Sequence, residues 1–195
     1  MSELILMNPE KLEKANWVSS IKDMCADIKI SPKKIKTIVA AISGKNLSVK
    51  EITTLEMREE ELFQALEFEA KKHIPLDGTE AVMDYHIKGS NANEIDKINV
   101  LLVATTKNII KQSNSIMKDS GFKNSIFDAE PIALTNCMAH NYGISDDGID
   151  IILDIGCSTS TLVVSGEGQT FFTREIDTAG FQMIKEIMKK YDTDY

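Results

Sequence analysis

Asp154-Ile155-Gly156-Cys157-Ser158-Thr159-Ser160-Thr161 is the stretch whose residue types and spacing can do chemistry. A short apolar run at 151–153 delivers an aspartate at its end, and small residues follow before the chain turns apolar again. Gly156 permits a tight turn and close backbone approach. Successive backbone N–H groups in such a turn form a concavity that holds anions. Ser158, Thr159 and Ser160 add donors with little bulk. Asp154 can hold a magnesium ion, which usually keeps several of its waters. These are parts for gripping a phosphate chain. A plain β-hairpin with a polar turn has the same composition, and spacing alone leaves that reading open. No histidine lies nearby in sequence to activate a hydroxyl, so a nucleophile has less support.

The elements that must position this stretch follow from periodicity. Trp17, Val18, Ile21, Met24, Cys25 and Ile28 recur at helical spacing and predict a helix over 9–27, with Asn8-Pro9 opening it. Trp17 is expected in the core, and Cys25 and Cys137 are expected to be buried as small hydrophobes. Residues 35–42 and 47–55 read as strands. Arg58-Glu59-Glu60-Glu61 opens a helix with acids in its first turn, where the dipole favours them, and Pro75 stops it. Alternation at Met83, Tyr85 and Ile87 predicts a half-exposed strand, and 89–94 a polar loop. The apolar run 100–104 predicts a central strand. A helix follows, with Gly121 at its left-handed end, then a short strand at 125–128. Pro131 begins another helix, which Gly143 ends. Strands at 151–154, 161–164 and 170–174 follow, with 165–168 as a tight turn, and a helix over 180–191 closes the chain. The pattern is mixed α/β without regular β-α-β units. There is no internal repeat and no low-complexity tract.

Composition narrows the partners. The 195 residues carry 22 basic and 30 acidic side chains, a net charge of -8. The basic pairs Lys33-Lys34, Lys71-Lys72 and Lys189-Lys190 are scattered, so no stripe exists to bind a phosphate backbone, and nucleic acid is not an expected partner. The three cysteines, Cys25, Cys137 and Cys157, have no metal-ligand spacing and an odd count, which fits a reducing compartment. His73, His86 and His140 are dispersed. Asp146, Asp147 and Asp150 read as a solvated loop rather than a cation site. The N-terminus lacks the features of a signal peptide, and no apolar run reaches the roughly 20 residues needed to cross a bilayer.

Asp-Ile-Gly-x-Ser-Thr-x-Thr, followed by Leu162-Val163-Val164 and the return through Phe171-Phe172-Thr173-Arg174, resembles the second phosphate hairpin of actin-like ATPases. More narrowly it resembles the PilM branch, which is related to FtsA. The segments Gln64-Ala65-Leu66-Glu67-Phe68-Glu69-Ala70-Lys71-Lys72-His73-Ile74-Pro75, Val100-Leu101-Leu102-Val103-Ala104 and Phe127-Asp128-Ala129-Glu130-Pro131-Ile132-Ala133-Leu134 match that branch in the same order. The resemblance implies a partial actin-like, ribonuclease H-like α/β fold with an inserted small α+β domain of strand-helix-strand-strand (SHS2-like) type. It implies a remainder of the first lobe at 1–47, the insert at 48–129, and the interlobe helix with the start of the second lobe at 130–195. It implies ATP and magnesium, with Asp154 at the metal and Gly156, Cys157, Ser158, Thr159, Ser160 and Gly180 at the nucleotide. It implies a cytoplasmic component of the type IV pilus platform that binds the cytoplasmic tail of a PilN-like membrane protein, contacts other assembly proteins, and meets the inner membrane through them.

Some family features are missing from the 195 residues. The first hairpin usually reads Asp-x-Gly-Ser, yet no glycine precedes Gly44. Ala179-Gly180 stands where Gly-Gly is frequent, and Cys157 where a smaller residue is usual. The expectation is a chain that begins partway into the first lobe, ends early in the second, and alone binds ATP weakly or not at all. A nucleotide-free peptide-binding module and an FtsA-like division protein are the alternatives.

Overall fold

The computed structural model describes residues 13–45, 47–73, 80–145, 148–166, 168 and 170–193. The expected Asn8-Pro9 cap, the stop at Pro75 and the pair Asp146 and Asp147 lie outside the described residues, as does the side chain of His73. In chain order the elements are α1 (Lys14–Asp27), a 3-10 turn at Pro32–Lys34, β1 (Ile38–Ile42), β2 (Ser48–Leu55) and α2 (Glu59–His73). Then come β3 (Ala81–Ser90), β4 (Lys97–Thr106), α3 (Lys107–Asp119), β5 (Ser125–Ala129) and α4 (Glu130–Tyr142). The last are β6 (Asp150–Ile155), β7 (Ser160–Ser165), β8 (Phe172–Ile176) and α5 (Gly180–Tyr191).

Contacts group the chain into two compact units, Met1–Ile42 with Asn108–Asp128, and Ser43–Lys107 with Ala129–Tyr195. In the first unit β1 pairs with β5. The Ile38 N–H donates to the Asn124 carbonyl at 3.0 Å, and the Asn124 side chain donates to the Lys36 carbonyl. Lys14 of α1 donates to Ser115 of α3 and pairs with Asp119. Gly121, at φ +103°, ends α3 as expected, since a left-handed residue lets later N–H groups turn back to the last carbonyls. The core expectation for α1 fails in part. Cys25 is buried, but Trp17 is 48% exposed, and Met24 and Ile28 are exposed too. An apolar stripe records which residues share a face, not whether another element covers it. Cys137 is likewise exposed. It lies on α4, and Pro131 is the buried residue of that helix.

The second unit holds two sheets. The first has the order β2-β4-β3, antiparallel throughout. β4 is central, as its apolar run predicts, and Ile98, Val100, Leu102 and Ala104 point to one face. α2 lies on that face through Leu62, Leu66 and Ala70, which are four residues apart and share one side of the helix. Burying a side chain of Leu or Val size contributes about 1.5–3 kcal/mol, so this layer is the main stabiliser of the small sheet. The predicted loop at 89–94 begins later than expected. β3 continues through a bulge between Ile87 and Gly89 because Gly89 and Ser90 still find partners at Asn99 and Ile98.

The second sheet has the order β6-β7-β8, also antiparallel. α4 packs on β7. The two sheets meet at β2 and β8. There the Glu51 carboxylate accepts from the Phe171 N–H at 2.7 Å and pairs with Lys88 at 2.8 Å. The Thr173 hydroxyl donates to the Val49 carbonyl at 3.4 Å.

Candidate functional site

The hairpin β6–β7 holds its ends in register, with Asp154 opposite Thr161 and Ile155 opposite Ser160. The turn closes when the Gly156 N–H donates to the Thr159 carbonyl at 3.1 Å. A Cβ at residue 156 would lie 2.8 Å from that carbonyl oxygen, so the turn requires glycine on grounds of space. The first N–H groups of α5, which no helix carbonyl can satisfy, are used here. Gly180 donates to the Gly156 carbonyl at 3.0 Å and Phe181 to the Cys157 carbonyl at 2.9 Å. The helix start thereby pins the turn from its carbonyl side. Gly180 also sits close, since a Cβ there would be 3.3 Å from the Gly156 oxygen. Gln182 completes the cap by accepting from the Ala179 N–H at 3.1 Å.

The predicted residues thus gather in one place but do different work. Cys157 and Ser158 are exposed at the turn, and Thr159 is half-buried. Among the described residues, the N–H groups of Cys157, Ser158 and Thr159 have no protein acceptor. The carbonyls of Gly156 and Cys157 are taken by α5, while these three successive N–H groups are left without a protein acceptor. The Ser160 hydroxyl points elsewhere. It is buried and donates to the Thr178 carbonyl at 2.6 Å, tying β7 to the segment before α5.

Asp154 is half-buried on the other face, among acids that sequence reasoning missed. Glu130, the first residue of α4, accepts from the Thr161 hydroxyl at 2.9 Å. Burial raises the Glu130 carboxyl above the usual range, the Thr161 hydrogen bond opposes this, and the charges of Asp154 and Glu175 push it up further. Glu175 of β8 has one buried carboxylate oxygen without a partner among the described residues. Glu130, Glu175, Thr161 and Arg174 line a cavity of about 50 Å³ together with Gly44 and Pro131. No three His, Cys, Asp or Glu side chains converge to hold a metal among the described residues. Asp154 offers one carboxylate, and magnesium is commonly held by one or two carboxylates together with waters and substrate phosphates. Only the Ala-Glu-Pro segment marked Glu130 in the sequence, and nothing there announced its partner Thr161.

A family model described as type IV pilus assembly protein PilM matches residues 6–195. The chain belongs to the PilM family. Among solved structures it is similar to the PilM-PilN type IV pilus biogenesis complex, at 19% identity and a TM-score of 0.76, covering 96% of this chain and 57% of that one. It is also similar to the cytoplasmic domain of EpsL, an inner membrane component of the type II secretion system of Vibrio cholerae. That match has 10% identity and a TM-score of 0.51, covering 82% of this chain and 56% of the other. The PilM-family chain spans a little over half the length of these solved relatives. Its fold is a partial actin-like α/β fold, as the sequence resemblance implies. No helix among the described residues is long and apolar enough to cross a membrane.

Proposed function

We propose that this chain carries one phosphate-gripping hairpin of an ATP-binding type IV pilus assembly protein. The three successive N–H groups of Cys157, Ser158 and Thr159 that have no protein acceptor, in the turn that follows Asp154 in the chain, carry the reading. They supply donors for phosphate oxygens, while Asp154 orients hydrated magnesium. ATP brings a polyphosphate whose charge the metal shares. Segment 48–129 is read as the inserted small domain. The partner is the cytoplasmic tail of a PilN-like membrane protein, which places the assembly on the cytoplasmic side of the inner membrane. The likeness to the PilM-PilN complex supports that partner.

Two experiments test the two halves. In a protein spanning the full family length, Asp154→Ala weakens magnesium-dependent ATP binding, and unchanged affinity would remove Asp154 from the site. A synthetic peptide of the PilN-like cytoplasmic tail binds this chain saturably in calorimetry, and no binding at about 1 mM peptide would reject the partner. A nucleotide-free interaction module has one observation in its favour, the acidic company of Asp154, since Glu130 and Glu175 repel phosphate. Magnesium-independent peptide binding, with no ATP binding in the full-length protein, would select it.

A further inference from the structure

Every carbonyl of the turn at 156–159 has a donor. The Gly156 carbonyl accepts from the Gly180 N–H at 3.0 Å, and the Cys157 carbonyl from the Phe181 N–H at 2.9 Å. The Thr159 carbonyl accepts from the Gly156 N–H at 3.1 Å. The Ser158 carbonyl differs, because among the described residues no backbone N–H reaches it. Its donor is a side chain, Gln182 Nε2, at 3.4 Å. The Oε1 of the same side chain accepts from the Ala179 N–H at 3.1 Å, so one amide joins the cap of α5 to the turn. Ala179 has no side-chain oxygen with which to cap the helix itself.

These bonds set the direction of the free donors. In a planar trans peptide the C=O and N–H of one unit point opposite ways, and the units here are trans. Holding the Gly156 carbonyl against α5 therefore turns the Cys157 N–H away from the helix. Holding the Cys157 carbonyl does the same for the Ser158 N–H. The Ser158 carbonyl shares its unit with the Thr159 N–H, so the aim of that third donor rests on Gln182. The first two units are fixed by backbone donors whatever the side chains are. The N–H groups of Gly180 and Phe181, which a helix start can offer to an anion, are already engaged by carbonyls. A phosphate thus meets the turn rather than the helix start.

We propose that Gln182 is a positioning residue for the phosphate turn: it holds the Ser158 carbonyl so that the Thr159 N–H joins those of Cys157 and Ser158 on one bound anion. The inference rests on the phosphate reading of this hairpin. The test is an amide-resolved NMR titration of the whole chain with magnesium pyrophosphate, which carries phosphate oxygens without base or ribose. In the parent the three amides at 157–159 shift together and saturably. In Gln182→Met, neutral and close in volume, the Thr159 amide loses most of its response while Cys157 and Ser158 keep theirs. Affinity falls by about threefold to tenfold, the effect of one hydrogen bond. Gln182→Glu keeps an acceptor for the Ala179 N–H but removes the donor to Ser158, and it reproduces the Thr159-selective loss with the helix cap intact. Circular dichroism confirms that each variant is folded. Three amides that respond in both variants as in the parent would overturn the proposal and leave the phosphate reading standing. An equal loss at all three, the mark of a residue that only stabilises the helix, would overturn it too. A parent whose three amides stay fixed up to about 10 mM magnesium pyrophosphate would overturn the phosphate reading and this proposal with it.

Discussion

Glu51 joins the two sheets of the larger unit, and its removal has a magnitude that follows from the structure. Its side chain is 7% exposed and holds two donors, the Phe171 N–H at 2.7 Å and Lys88 Nζ at 2.8 Å. Each charge-assisted hydrogen bond contributes about 1.5–3 kcal/mol. Glu51→Ala also abolishes the desolvation cost of the carboxylate, and the Lys88 side chain, 32% exposed, recovers water. The net cost is about 2–3 kcal/mol, most of it from the stranded Phe171 N–H. At about 2–4 °C per kcal/mol for a chain of this size, Tm falls by about 4–12 °C. Glu51→Gln keeps an oxygen for the Phe171 N–H and loses less, about 1 kcal/mol. Thermal unfolding by circular dichroism, with Lys88→Ala and the double variant to close a cycle, measures these terms. A Tm for Glu51→Ala within about 1 °C of the parent would refute the reasoning. So would a Lys88→Ala loss as large as that of Glu51→Ala, because the backbone donor would then contribute nothing.

Three further outcomes follow. Gly156→Ala forces a Cβ to 2.8 Å from the Thr159 oxygen, disturbs the hydrogen bonds at 3.1 and 3.0 Å around the turn, and costs about 1–3 kcal/mol. Chemical denaturation checks this, and an unchanged midpoint would contradict it. The Glu130 carboxyl, raised from 4.5 mainly by burial, is held protonated more tightly in the folded than in the unfolded chain. Stability therefore falls as pH rises from about 4.5 through the raised folded value, and Glu130→Gln, which keeps an acceptor for Thr161, gains relative to the parent over that window. A Tm difference that is flat across the window would count against the buried acid. In the folded chain Cys137 and Cys157 react quickly with a thiol reagent while Cys25 is protected, and iodide quenches Trp17 fluorescence. A protected Cys137 or an unquenched Trp17 would mean those faces are covered.

Much of the fold was legible because its signals are local. The run Val100-Leu101-Leu102-Val103-Ala104 marks the central strand, Glu59-Glu60-Glu61 the start of α2, Gly121 the end of α3, and the glycine and hydroxyl residues after Asp154 the hairpin. What the sequence hid was the matching of surfaces. Helical spacing put Trp17 and Cys25 on one stripe, yet only Cys25 found cover, because cover comes from residues distant in the chain. The hydroxyls of Ser158 and Ser160 looked equivalent, but strand register turned Ser160 inward onto the Thr178 carbonyl. Glu130 joins the site through Thr161, 31 residues away, a pairing that no spacing rule reports.

The central claim is that the turn after Asp154 is a phosphate jaw. The direct measurement is an amide-resolved NMR titration of this chain with MgATP, which detects even millimolar affinity. The account predicts that the Cys157, Ser158 and Thr159 amides shift together and saturably, that the shifts need magnesium, and that Asp154→Ala reduces them. Amides at that turn that stay fixed up to about 10 mM MgATP would contradict it.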